Sequence, residues 1–127
     1  MFEYLRGKLE DRYNTANGFY FVMDVNGVGY QIEVSESDYS ADISKDEVKL
    51  YTKLLHKEDN MSLCGFLRKE TRDIFTYLTS VSGVGTKMAL ALLGKFDACD
   101  IISIVINEEY KQLTLAKGVG VKLAQKI

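Results

Sequence analysis

The sequence has no tryptophan, no proline, a single histidine and only two cysteines in 127 residues. Cys64 and Cys99 lie far apart, with no CxxC pair and no His-rich neighbour. That spacing offers no metal site, and both are expected to be reduced, buried thiols, neither ligands nor a disulfide. His56 has no Ser, Asp or Cys beside it at a recognisable spacing, which removes the usual nucleophile–base arrangements. No apolar run approaches the ~20 residues that span a bilayer, and the opening Met-Phe-Glu-Tyr-Leu-Arg-Gly lacks the basic and apolar regions of a signal peptide. A cytoplasmic protein with no membrane partner is expected. An excess of positive charge is missing too: 16 Lys and Arg against 18 Asp and Glu give a net charge of −2, where phosphate-binding proteins ordinarily carry a basic surplus.

The distribution of charge reverses that last impression. Residues 1–66 hold 7 basic and 12 acidic side chains, whereas residues 67–127 hold 9 basic and 6 acidic ones. From Lys111 to Ile127 there are four lysines and no carboxylate. A partner meets this local field, not the total.

The basic half also carries a repeat. Ser82-Gly83-Val84-Gly85-Thr86-Lys87-Met88-Ala89 returns 35 residues later as Lys117-Gly118-Val119-Gly120-Val121-Lys122-Leu123-Ala124, with both glycines, the Val between them, the Lys and the Ala in register. Glycine on either side of one apolar residue allows positive φ or close approach, while the Val tucks inward and a helix begins at once. Such a helix start presents free N–H groups and partial positive charge, which suits an anion such as phosphate. One copy alone reads equally well as a tight connection between helices; two copies with matching Lys and Ala offsets favour a backbone-phosphate grip made by Gly83, Val84, Gly85, Thr86, Lys87 and Lys117, Gly118, Val119, Gly120, Val121, Lys122.

The first half reads as strands. Phe19–Val25, Asn26-Gly27 and Val28–Val34 form a strong hairpin pattern suited to a type I′ turn. Asn17-Gly18 offers another turn, after an opening strand near Phe2–Glu10. Strands over Val48–Leu55 and Met61–Phe66 complete a set of five, the number of a small OB-type barrel. Between the last two lies His56-Lys57-Glu58-Asp59-Asn60, a hairpin tip with two adjacent carboxylates that reads, by itself, as a solvated turn.

From Arg68 the period becomes helical. Ile74, Phe75, Leu78 and Val81 make an apolar stripe. After the first repeat, Met88–Leu93 continues to Gly94, a candidate C′ glycine. Asp97 and Asp100 resemble a cap for Ile101–Ile106, which is apolar nearly all round and expected to be the buried centre of the helices. Asn107 is a candidate cap for a next short helix through Tyr110 and Leu113. The last helix begins near Val121 and meets no stop signal before Ile127, so the natural protein is expected to continue. The predicted fold is α+β in two domains: a five-stranded OB barrel with its acidic hairpin over residues 1–66, and an all-α unit with two helix-hairpin-helix motifs over residues 67–127.

This plan resembles the RuvA family of Holliday junction-binding subunits over the whole chain. Leu5-Arg6-Gly7, Gly27-Val28-Gly29-Tyr30, Gly65-Phe66 and the two Gly-Val-Gly units carry the resemblance, and Glu58-Asp59 falls where that family has its acidic pin. The resemblance implies a non-catalytic, sequence-blind binder of four-way DNA junctions acting in recombination and repair. It implies a homotetramer, or two tetramers enclosing the junction. It also implies a hexameric motor ATPase, RuvB, engaged through a C-terminal domain with no counterpart here, and the resolvase RuvC as a further partner. No cofactor is implied. Arg6 and Lys8 are barrel candidates for DNA contact by position.

Two other classes compete. Helix-hairpin-helix DNA glycosylases resemble this pattern but carry a catalytic Asp some eighteen residues beyond the hairpin lysine; eighteen beyond Lys87 stands Val105, inside the apolar helix, and beyond Lys122 the sequence ends. An OB barrel can also bind single strands through aromatic platforms, for which Tyr20, Tyr30 and Tyr51 are the candidates.

Overall fold

The computed structural model describes residues 2–116 and 118–127; Lys117 lies outside the described residues. Five strands, β1 (Tyr4–Thr15), β2 (Gly18–Val25), β3 (Val28–Val34), β4 (Val48–Lys57) and β5 (Asn60–Phe66), close a barrel in the order β1-β2-β3-β5-β4. All neighbours are antiparallel except β3 and β5, which run parallel through Ile32↔Leu63 and Glu33↔Cys64. That order, with one parallel seam, is the OB arrangement expected from the strand count. At the β2–β3 turn, Asn26 and Gly27 both have positive φ (53° and 87°), as a type I′ turn requires.

The first strand is longer than its predicted span because it serves two partners. Tyr4–Gly7 pairs with β4 and Lys8–Thr15 with β2, and the register shifts between Leu9 and Asp11. A bulge of this kind bends a strand sharply enough to turn a barrel corner. Inside, Leu5, Leu9, Phe21, Met23, Ile32, Val34, Val48 and Leu50 form the barrel core.

Between β3 and β4 a one-turn helix, α1 (Glu36–Tyr39), closes one end of the barrel. Ser35 caps it, its Oγ accepting from the Asp38 N–H. The Asp38 carboxylate accepts in turn from the Leu67 N–H at 3.2 Å, fixing the exit from β5. Helices α2 (Lys69–Ser80), α3 (Thr86–Lys95), α4 (Ala98–Ile106), a 3-10 helix (Tyr110–Leu115) and α5 (Val121–Lys126) follow.

Phe75 and Leu78 of the predicted stripe are buried on α2. They share one core with Leu92 and Leu93 of α3, Ile101 and Ile104 of α4, and Cys64 and Phe66 of the barrel. Phe66 and Phe75 meet with ring centroids 5.0 Å apart. The Cys64 thiol is pushed up to about 12, first by burial and then by the charge of Glu33, with Lys87 pulling the other way, so it is an inert packing group.

Four expectations need correction. Cys99 is exposed, on the outer face of α4. The α4 helix is not buried all round: Ile101 and Ile104 face the core, while Ile102, Val105 and Ile106 are exposed, Ile106 at 73%. A one-sided neighbour covers only one stripe of a helix, whatever the composition of the other. Gly94 lies inside α3, whose C-cap is Phe96. Asn107 ends α4, its N–H bonded to the Ser103 carbonyl, and the 3-10 helix follows with no side-chain cap. The Asp97/Asp100 capping box is present as expected, each side chain accepting from the other's backbone N–H.

Candidate functional site

The two Gly-Val-Gly turns are built alike, bond by bond. Gly83 and Gly118 hold φ of +94° and +88°, a region that costs an L-residue with a Cβ ~1–2 kcal/mol. Val84 and Val119 are buried. The Val84 N–H bonds the Val81 carbonyl and the Val119 N–H bonds the Ala116 carbonyl, 35 residues on. Gly85 and Gly120 then stand at the caps of α3 and α5 in the same extended conformation, ψ −179° and 173°, and no side chain caps either helix start. The first intrahelical bonds come from Ala89 to Gly85 and from Ala124 to Gly120. The N–H groups of Thr86, Lys87 and Met88, like those of Val121, Lys122 and Leu123, therefore precede the first helical hydrogen bond.

The two turns also pack on each other reciprocally. A Cβ at Gly83 would lie 3.1 Å from Leu123 Cδ1, and a Cβ at Gly118 would lie 3.8 Å from Met88 Cε. Met88 and Leu123 are the same position in the repeat, so each hairpin leans its apolar residue over the other's glycine.

The acidic pair occupies the two-residue turn between Lys57 and Asn60, which are paired across β4 and β5. Glu58 and Asp59 are exposed, as is His56. A groove of about 980 Å³ is lined by Lys57, Asn60 and Met61 beside this turn, by Tyr20, and by Gly85, Thr86 and Lys87 of the first Gly-Val-Gly turn. A second groove, about 740 Å³, continues from Lys87 and Met88 along α3 to Leu115 and Gly118. The two grooves share Lys87 and Met88 and between them reach from the residues flanking the carboxylate pair to both turns.

Lys87 does not stand free on it. Its Nζ lies 2.5 Å from Glu33 Oε2 and 2.5 Å from the Asn17 carbonyl oxygen, and 5.9 Å from the centre of the Tyr20 ring. Burial works against its charge, but hydrogen bonding to Glu33, the Glu33 charge and Tyr20 outweigh it and raise the ammonium pKa. Lys122, its counterpart, is exposed and makes no ion pair among the described residues. Nothing local in the sequence pointed to Glu33, 54 residues from Lys87.

Of the other candidates, Arg6 pairs with Glu47 at 3.6 Å and Lys8 with Glu10 at 3.8 Å, all exposed. Tyr20 stacks on Tyr13 at 5.2 Å. Tyr51 meets Tyr4 edge-on beneath Lys49. Tyr30 packs against the barrel core. The three candidate platforms are therefore engaged within the barrel surface.

These features define a class: an OB-type barrel joined to a tandem of helix-hairpin-helix units. The comparison with known families makes it specific. The family described as RuvA N terminal domain matches residues 1–65, and the one described as SAM-like Helix-hairpin-helix tandem matches residues 75–127. The chain belongs to the RuvA N-terminal domain family.

Among its relatives is a protein of Acetivibrio thermocellus named Holliday junction branch migration complex subunit RuvA, 43% identical over 129 residues that cover 100% of this chain and 61% of the relative. Proteins of the same name from Prochlorococcus marinus and Christiangramia forsetii are 31% and 35% identical, again over 100% of this chain and over 60% and 64% of their own lengths. The chain thus spans about three fifths of the length of these curated relatives. No helix among its described residues is long and apolar enough to cross a membrane.

Proposed function

We propose that this chain binds four-way DNA junctions without reading their sequence, as a non-catalytic cytoplasmic subunit of a branch-migration assembly. The observation that carries the reading is the pair of uncapped, reciprocally packed Gly-Val-Gly turns. Their loop N–H groups, around Gly83, Gly85, Thr86 and around Gly118, Gly120, Val121, suit the phosphates on the two sides of a minor groove, with Lys122 adding charge. Contacts of this kind position a duplex and carry no base information.

A junction preference needs symmetry as well. In a homotetramer, four weak arm-sites gain by effective concentration only where four arms radiate from one point. The Glu58-Asp59 tips would then gather about eight negative charges at the crossover. Two unit charges about 4 Å apart repel by roughly 1 kcal/mol even in bulk water, so the tips are there to exclude phosphates from the centre and to favour strand exchange. Movement of the branch point is assigned to a motor ATPase of the RuvB type, with a RuvC-type resolvase as a later partner; this chain holds the substrate.

The test is an electrophoretic comparison of a four-way junction, plain duplex and single strand, with wild type and with the Glu58→Gln/Asp59→Asn double variant. The expected result is junction binding at least ~10-fold tighter than duplex, retained or tightened in the double variant. Equal affinity for junction and duplex would sink the junction reading, and a sharp loss of affinity in the double variant would sink the role given to the tips.

A further inference from the structure

The repeat predicts that Lys87 and Lys122 do the same thing, and the structure separates them. Lys122 reaches solvent beside its turn. Lys87, though its side chain is 60% exposed, spends its ammonium group inside a three-sided cage: the Glu33 carboxylate, the Asn17 carbonyl and the face of Tyr20. Glu33 is the fixed wall of that cage, with its side chain only 13% exposed. The backbone is shaped around the contact. A Cβ on Gly18 would lie 2.6 Å from Glu33 Oε2 and 3.3 Å from Lys87 Nζ, so the residue beside the ion pair has no side chain to displace it.

The cage sits where barrel and first turn meet. Asn17, Glu33, Lys87 and Met88 line both grooves, the one that leads to the acidic tip and the one that leads to the second turn. The ion pair therefore crosses the surface between them. An ammonium with two hydrogen-bond acceptors and an aromatic face already in place has little to gain from a phosphate oxygen, and a carboxylate beside it repels the phosphate.

We propose that Glu33 is a positioning residue that withholds Lys87 from the DNA backbone and uses it to pin the first Gly-Val-Gly turn to the barrel. The proposal rests on the duplex-grip reading above and refines it: the first turn holds phosphate by backbone N–H groups alone, while the second adds Lys122. The two turns of one chain are then unequal, and the angle between the first turn and the acidic tip is set by an ion pair instead of by DNA.

Salt dependence separates this from the symmetric alternative, because each phosphate neutralised by a lysine adds ~0.9 to the slope of log affinity against log salt. Duplex affinity would be measured between about 50 and 300 mM NaCl for wild type, Lys122→Met, Lys87→Met, Glu33→Gln and the Glu33→Gln/Lys87→Met double variant. Lys122→Met is expected to flatten the slope by ~0.9 per bound chain, and Lys87→Met to leave it unchanged. Glu33→Gln is expected to steepen it by the same amount and to tighten binding about fivefold at about 0.15 M salt, a gain that the double variant loses. A purely structural role for Glu33 would not move the slope. If Lys87→Met flattens the slope as Lys122→Met does, the proposal is overturned.

A second measurement needs no DNA. Trace labelling with acetic anhydride, read by mass spectrometry, is expected to modify Lys87 several-fold more slowly than Lys122, with Glu33→Gln and Glu33→Ala both abolishing the difference. Equal labelling in the wild type overturns the cage. A wild type that binds neither duplex nor junction overturns the grip reading, and labelling still decides the cage.

Discussion

Asp38 shows how much one side chain can fasten. It lies on the single turn of α1 between two strands of the barrel, and its carboxylate receives the Leu67 N–H where the chain leaves β5 for the helices. Burial raises its pKa above 3.8, and the Leu67 hydrogen bond offsets this only in part. Because the folded value lies above the unfolded one, the folded state keeps the proton over that interval and stability falls as pH rises through it. Asp38→Asn keeps an acceptor for Leu67 and removes the charge. We expect its melting temperature at pH 7 to equal or exceed that of the wild type, with the wild type's decline between acid and neutral pH flattened. A lower melting temperature at pH 7 would show that the charge itself is needed. Arg72 is a second fastener: its guanidinium bonds the carboxylate and the carbonyl of Glu3, so α2 is clasped to the chain just before β1.

At the scale of elements, the hairpin turns permit a test that separates shape from binding. Gly83→Ala places a Cβ at φ +94° and 3.1 Å from Leu123 Cδ1, so we expect a stability loss of about 1–2 kcal/mol, seen in thermal melts, together with weaker junction binding. Gly85 has φ −94°, and a methyl group there would meet nothing within 4 Å, so Gly85→Ala should leave the melt within about 0.5 kcal/mol and weaken only DNA binding, by crowding the phosphate. Equal destabilisation by the two would contradict the division of labour between the two glycines.

The same elements show what a sequence reveals. Asn26-Gly27, the Gly-Val-Gly turns, Glu58-Asp59 and the Asp97/Asp100 box were legible because each is determined within a few residues. The exposed face of α4 was not, since composition reports how apolar a helix is and not which neighbours arrive to cover it. Glu33 was missed because its partner is brought near by the closure of the barrel onto α3, a contact with no local signature. The long first strand was half-legible: a strand near Phe2–Glu10 was visible ahead of the Asn17-Gly18 turn, but the bulge that lets it serve β4 and β2 depends on a pairing between distant segments.

For the whole molecule, the decisive feature is that the helical core takes in Cys64 and Phe66 from the last strand. Phe75 is fully buried against Phe66, and replacing it with Ala removes packing from both sides of that contact. We expect Phe75→Ala to cost ~3–5 kcal/mol, lowering the melting temperature by about 10 °C or more. The β and helical signals should move together in one transition. Two separate transitions would mean that the barrel and helices are stable independently and that the shared core contributes little.

The reciprocal packing of the two turns also bears on movement along DNA. Met88 over Gly118 and Leu123 over Gly83 relate the hairpins by an approximate two-fold axis, and the two strands of a duplex, being antiparallel, are related by two-fold axes of their own. A grip whose halves match the strands in this way has no forward or backward sense along the arm. DNA would slip through it equally easily in either direction. On the junction-binding proposal, any directionality of branch movement must then be imposed from outside the hairpins, by whatever pulls on the arms.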